Sequence, residues 1–419
     1  MGQQGPRLRR QLGLISTIAV ALGAIIGAGV FVVLGQAAGL AGGALPLAIL
    51  LAAIVAVFNG LSAAQLGVNY PLAGGTYEFG YRLLAPIIGF AAGWLFLLQA
   101  VTAGAAFTLT FVNYLQPLAP TWPLRAVAIA LATLAVLANL VGIRLLERIN
   151  NLLVAIKVGA LVLFVAVGLT AVSLQRWPPI RPSLAGLLNA SALFFFAFSG
   201  FARPVTIAEE VRDPARNLPR GVLAGISISA VLYIAVASVA LALVGADALA
   251  ISPAPLRDAL GPTGQAWAQT AISIGALVAT SSVLFNEIWG VSRLAFAMAR
   301  RGDLPRLLSQ LSPNGIPRWA VLILGGITIL LTATLDLGPA LAAASLSLLI
   351  YYGLTNLAAL WLRPEQRLYP AVVSLAGLVA CGVLAASLPA QALIGVGIAL
   401  AAGLAYFALR HRGHWPARS

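Results

Sequence analysis

Charge is scarce in this chain of 419 residues, where Asp, Glu, Lys and Arg make up only 9%. Eleven acidic and 25 basic side chains cannot coat the water-facing surface of the two or three soluble domains that such a length would form. Cysteine occurs once, at Cys381, which excludes an intrachain disulfide. Both histidines, His411 and His414, stand at the C-terminal end, so a histidine metal site or proton relay deep in the fold is excluded. Lysine also occurs once, at Lys157, against 24 arginines. No basic run is interleaved with aromatics, which argues against a nucleic-acid surface. No GxSxG, HExxH or P-loop pattern is present. Hydrolysis and ATP-driven pumping therefore lack their residues, and the sequence reads as non-enzymatic, with no cofactor or metal.

What the chain does have is apolar length. Hydrophobic residues make up 61% of it and the mean hydropathy is +0.98. Runs of about 20 apolar residues are enough to cross a bilayer as helix. Twelve such runs are expected, at roughly 12–40, 43–66, 87–116, 123–142, 149–174, 186–210, 220–245, 264–300, 319–335, 338–362, 368–388 and 390–410. None alternates polar and apolar residues, so a β-barrel is not indicated. A helical bundle satisfies its backbone internally and is the remaining solution for a lipid solvent. The expected fold is thus an all-α integral membrane protein, one transmembrane domain over 1–419.

The arginines orient it. With the N-terminus in the cytoplasm, the cytoplasmic segments hold 19 basic residues. The external loops then hold four, Arg125, Arg176, Arg181 and Arg257. That bias obeys the positive-inside rule and places both termini in the cytoplasm. The net charge of +14 is accounted for by topology and by contact with anionic headgroups. The "RLRR" before the first run also resembles a signal peptide, but the run is too long, and its retention as the first helix is expected.

Two spans are interrupted. The first contains GAIIGAGVF, Gly23 to Phe31, whose three glycines permit local unwinding or, as a GxxxG pair, close helix packing. The sixth reads FFFAFSGFARPVTIAEEV, interrupted by Ser199, Gly200 and Pro204. First and sixth each open a five-helix unit. Units with an odd number of spans insert with opposite topology, the pattern of inverted-repeat secondary transporters with substrate at the breaks. Amides at the start of a half-helix favour a carboxylate, and freed carbonyls favour an ammonium. A zwitterionic amino acid carries both.

Ionisable residues within spans are costly and need a partner or a role. Lys157 lies in the core of the fifth span and either carries a proton or snorkels to the cytoplasmic edge. Glu287, in the eighth span, pairs with Lys157 or Arg203 or faces a wet cavity. Thr280, Ser281 and Ser282 either ligate a small cation or back-bond to their own helix. Arg203 follows the sixth-span break and could meet a substrate carboxylate or Glu287. Glu209, Glu210, Arg212 and Asp213 read as loop ion pairs near the surface.

These residues resemble the amino acid–polyamine–organocation (APC) superfamily of permeases. Three blocks carry the resemblance: GAIIGAGVF, then FFAFSGFARPVTIAEEVRDPARNLPRG from Phe195 to Gly221, then SRLAFAMARRGDLP from Ser292 to Pro305 followed by Ile316–Pro317. The resemblance spans nearly the whole chain and is nearest to bacterial members related to cationic amino acid transporters. It implies a LeuT-like fold of 12 transmembrane helices with inverted repeats at 11–174 and 186–362, helices 1 and 6 unwound, and peripheral helices at 368–410. It implies a substrate carboxylate on the amides of Gly27, Ala28 and Gly29. The ammonium would bond carbonyls near Ala24, Ile25, Phe196, Ala197 and Ser199, with Phe196 or Phe198 covering the substrate. In proton-coupled members a helix 5 lysine stands where sodium binds in relatives, and Lys157 matches that position, with helix 1 carbonyls and Ser281 or Ser282 as partners.

The sequence departs from the family in places. Ala202 and Arg203 replace an acid after the helix 6 "GF", which argues against acid-gated exchange. Gln65 stands where many members have glutamate, and the acid of the "ARDG" loop comes one place late, at Asp303. The resulting expectation is a proton-coupled symporter of neutral amino acids in the plasma (inner) membrane, working by alternating access. Its partners are an amino acid, protons and lipid. The alternatives are an amino acid or polyamine exchanger without proton coupling, and a transporter of cationic amino acids.

Overall fold

The structure, a computed structural model, describes residues 11–71, 74–141, 145–180, 183–206 and 208–411. The N-terminal arginines, Arg181 and His414 lie outside the described residues, as does the side chain of Glu209. In chain order the α-helices are α1 (Leu14–Ile25), α2 (Gly29–Ala41), α3 (Leu45–Asn69), α4 (Thr76–Phe79), α5 (Pro86–Leu115), α6 (Leu124–Val141), α7 (Leu145–Gly168) and α8 (Leu184–Ala197). There follow α9 (Arg203–Thr206), α10 (Pro214–Ile251), α11 (Pro255–Ala259), α12 (Ala266–Arg301), α13 (Arg318–Thr334), α14 (Leu337–Leu360), α15 (Ala371–Ser387) and α16 (Ala390–Arg410). No strand occurs among the described residues; the one isolated bridge joins Leu12 to Val211.

Eight stretches of helix among the described residues are long and apolar enough to cross a membrane. A ninth arises if the bent pair Leu184–Ala197 and Ser199–Thr206 is one span. Other runs expected from the sequence fall on shorter apolar helices, α1, α13 and α15. The outer helices bury one stripe each. In α6 the buried residues are Ala128, Ala132, Ala135, Val136 and Asn139, a helical repeat, while Leu134, Leu137 and Val141 stay exposed. Large exposed residues such as Leu330, Leu375, Val379, Ile394 and Ile398 continue this apolar exterior. Such a surface suits lipid and would be a liability in water.

The interior is packed through small residues, which let helix backbones approach closely without a hydrophobic drive between them. Gly104 of α5 meets Thr328 of α13 and Leu284 of α12, and Gly325 of α13 meets Val136 of α6. Helix α5 is buried along most of its length, at the centre of the bundle.

The connections gather at two opposite ends. At one end Asn69 bonds the Gln366 carbonyl at 2.8 Å and Arg301 bonds Glu78 at 3.0 Å. At the other, Arg125 bonds the carbonyls of Thr332 and Leu335 at 2.9 and 2.8 Å, and Arg176 bonds that of Leu243 at 2.9 Å. Helix α12 stops at Gly302, whose φ of 96° is a left-handed cap that a side chain would strain.

Candidate functional site

The first break falls inside the glycine-rich block. Helix α1 ends at Ile25, residues 26–28 are non-helical, and α2 begins at Gly29. The Ile26 amide closes the last turn on the Leu22 carbonyl, and the Gly27 amide turns back to Ile25, both at 2.8 Å. The amides at the start of α2 have no intrahelical partner and form its positive end. Gly27, Ala28 and Gly29 are at or beside this end, and Ala24 and Ile25 close the preceding half-helix.

The second break follows α8. Phe198 caps that helix, a 3₁₀ turn spans Ser199–Ala202, and the short α9 resumes with a bend of 45°. Pro204 is the second residue of α9, where its missing amide costs no helical bond. The break therefore precedes the proline rather than sitting on it.

The two breaks touch backbone to backbone. A Cβ at Gly29 would run into Ala197, and one at Gly200 would collide with the carbonyl of Ala24. Only glycine permits both approaches. Tyr233 of α10 donates to the Ile25 carbonyl at 2.8 Å and lies 3.4 Å from that of Ala197. Tyr352 of α14 donates to the Ser199 carbonyl at 3.1 Å. Aromatic rings surround the crossing. Phe198 and Phe194 pack on Tyr233, Phe195 and Phe201 on Tyr352, and Phe196 on Phe107. Phe196 and Phe198 are both buried. Tyr233 and Tyr352 are not distinguished by sequence, since an aromatic in an apolar span reads as core.

Lys157 of α7 is 3% exposed, and its ammonium makes no hydrogen bond or ion pair with a described residue. Its neighbours one turn away on the same face locate it. Val154 packs on Gly23 of α1, and Ala160 packs on Gly275 of α12. The lysine thus faces the seam where α7 meets α1 and α12. The hydroxyls of Ser281 and Ser282 donate to their own helix, at Leu277 (2.7 Å) and Ala279 (3.0 Å). Thr280 does likewise, to Ala276 at 2.7 Å. Back-bonding is therefore the geometry of all three, leaving their oxygens as acceptors only. Glu287 is half-buried, with Gln99 of α5 and Arg203 as the polar groups acting on it, while Arg203 itself is exposed. Neither forms an ion pair within 4.0 Å among the described residues.

Below the second break lies a small cleft of about 40 Å³, lined by Thr76, Ala202, Val205, Thr206, Tyr351, Tyr352 and Thr355 among others. Among the described residues no charged side chain lines it. The Thr76 amide donates to the Tyr351 hydroxyl at 3.3 Å, and the Thr76 and Thr355 hydroxyls bond at 2.7 Å. Among the described residues no three His, Cys, Asp or Glu side chains form a group able to hold a metal.

Residues 17–414 match the family model described as amino acid permease. The chain belongs to the amino acid permease family, within the APC superfamily. It is 37% identical over 412 residues to an uncharacterized transporter of Mycobacterium tuberculosis, covering 96% of this chain and 92% of the relative. A branched-chain amino acid permease of Bacillus subtilis is 30% identical, over 86% of this chain and 82% of the relative. Cationic amino acid transporter 9 of Arabidopsis thaliana is 29% identical, over 74% and 58%. This permease is a multi-pass membrane transporter and not an enzyme.

Proposed function

We propose that this permease is a proton-coupled symporter of neutral amino acids, working by alternating access in the plasma membrane with both termini in the cytoplasm. Its twelve apolar spans would form two inverted five-helix units, 11–174 and 186–362, with 368–410 peripheral, as in LeuT-like folds. The observation that carries the reading is the meeting of the two interrupted helices, Gly29 on Ala197 and Gly200 on Ala24, together with a buried lysine that pairs with no described residue.

In this reading the substrate parts the two breaks. Its carboxylate rests on the amides of Gly27, Ala28 and Gly29, where the α2 dipole favours an anion. Its ammonium takes carbonyls of Ala24, Ile25, Phe196, Ala197 and Ser199, displacing or joining the Tyr233 hydroxyl. Phe196 or Phe198 covers the side chain. Lys157 carries the coupling proton: as an ammonium it is drawn to the α1 carbonyls and to the acceptor oxygens of Ser281 and Ser282, and as an amine it releases them. The uncharged cleft lining supports a neutral cargo, since a charged one would cross it unpaired.

Glu287 favours a second reading, in which a cationic amino acid uses that carboxylate while Arg203 gives way. A third, exchange without proton coupling, leaves Lys157 structural. Uptake of labelled amino acids into proteoliposomes, in sodium-free buffer with and without an inward proton gradient, separates them. Gradient-driven accumulation of a neutral amino acid supports the proposal. Accumulation of arginine or lysine alone supports the second reading, and counterflow without net uptake supports exchange.

A further inference from the structure

Away from the breaks, the tip of the last helix closes over a buried carboxylate. Asp303 follows the Gly302 cap of α12 and is fully buried. It accepts from the phenols of Tyr77 and Tyr81, each at 2.6 Å, both from the segment joining α3 to α5. Burial, with the Asp303 charge beside them, pushes both phenols above their ordinary range, so they stay protonated donors. Arg301 lies over the rings of Tyr81 and Tyr77, at 4.3 and 5.1 Å, and bonds Glu78 at 3.0 Å. Glu78 also faces Arg82 at 3.7 Å.

Helix α16 reaches this cluster along α5. Trp94 donates to the Ala399 carbonyl at 2.9 Å, and Phe407 packs on Phe90 with ring centres 4.7 Å apart. At the tip, Arg410 donates to the Gly302 carbonyl and to the Tyr406 hydroxyl. The His411 ring sits 4.5 Å from that of Phe407. Its Nε2 is 3.5 Å from an Asp303 oxygen, buried, and without a hydrogen-bond partner among the described residues. A neutral imidazole has one donor nitrogen and one acceptor; the protonated ring has two donors and a charge. Of the described charged groups around it, Arg301 is engaged by Glu78 and Arg410 by Gly302, and Asp303 is the one His411 meets.

We infer that His411 and Asp303 form a proton-operated latch, which ties the tip of α16 to the segment between α3 and α5. Protonation of His411 gives Asp303 a third donor and tightens the latch. Deprotonation removes the ring's charge and one of its two donors, and the latch loosens. The latched segment includes Thr76, adjacent to Tyr77, and Thr76 lines the cleft below the second break. Acidification on that side therefore holds the cleft lining in place and slows passage; this last consequence rests on the transport reading.

The latch is tested by hydrogen exchange on the full chain in lipid nanodiscs at about pH 5.5 and about pH 8, corrected for the intrinsic effect of pH. Residues 74–84 and 299–311 are expected to exchange about tenfold more slowly at the acidic pH, the ratio that one unit of differential protonation supplies. In His411→Gln that difference should vanish. In His411→Lys, a permanent cation, both segments should be protected at both pH values. An unchanged pH difference in either variant, or none in the native chain, overturns the latch. Exchange is read without substrate, so its failure leaves the transport reading standing, and absence of uptake leaves the latch standing.

Discussion

The hydroxyl of Tyr233 joins the two helix breaks, 2.8 Å from the carbonyl of Ile25 and 3.4 Å from that of Ala197. It has one proton for two acceptors and gives it to Ile25, the nearer. The Ile25 carbonyl also accepts from the Gly27 amide, so losing the phenol takes one of its two donors, at about 0.5–1.5 kcal/mol. Tyr233→Phe keeps the ring against Phe198 and removes only that donor. Uptake is expected to fall about tenfold, with a modest loss of thermal stability. Full activity in Tyr233→Phe would show that the hydroxyl is a spectator.

The glycine contacts at the crossing divide from glycines elsewhere. Gly29→Ala and Gly200→Ala force apart two backbones, which cannot yield as a flexible side chain does. Both variants should lose transport. Gly159→Ala, in α7 with open space around it, should keep transport and gain up to about 1 kcal/mol of helix stability. Parallel uptake and melting curves on the three variants read this contrast.

Among the described residues Lys157 has no counter-charge to lose, so its removal need not disturb an ion pair there. Lys157→Met should retain counterflow of amino acid while losing stimulation by an inward proton gradient. Gradient-stimulated accumulation at the native level in that variant would remove the lysine from coupling.

The carboxylate of Asp303 accepts from two phenols, those of Tyr77 and Tyr81. Asp303→Leu takes away the buried acceptor of both hydroxyls, at about 1–3 kcal/mol each. A clear drop in melting temperature is expected, larger than that of Tyr77→Phe, which removes one donor and keeps the carboxylate bonded to Tyr81. Equal melting temperatures for the two variants would contradict this ranking.

Much of the site is legible in the sequence because its physics is local. Gly27, Gly29 and Gly200 weaken helix where the chain stops being helical, and Pro204 marks the restart after the second break. Lys157 stands out because a lone charge in an apolar run has few bland explanations. What is not legible depends on distant partners. Tyr233 meets Ile25 across 208 positions, and nothing in the apolar run around it marks its hydroxyl as used. Asp303 and His411 come together only because α16 lies along α5. The serines after Thr280 look the same in sequence whether they back-bond or ligate, and the rotamer decides.

One backbone contact bears on how the bundle moves. Leu12, just before α1, bridges Val211, just after α9, and the amides of Gln11 and Leu12 both donate to the Glu210 carbonyl, at 2.9 and 3.0 Å. The two half-helices on that side of the breaks are therefore hinged at the crossing and stitched together at their far ends. They form one door leaf with two hinges, and a displacement of α1 must carry α9 with it.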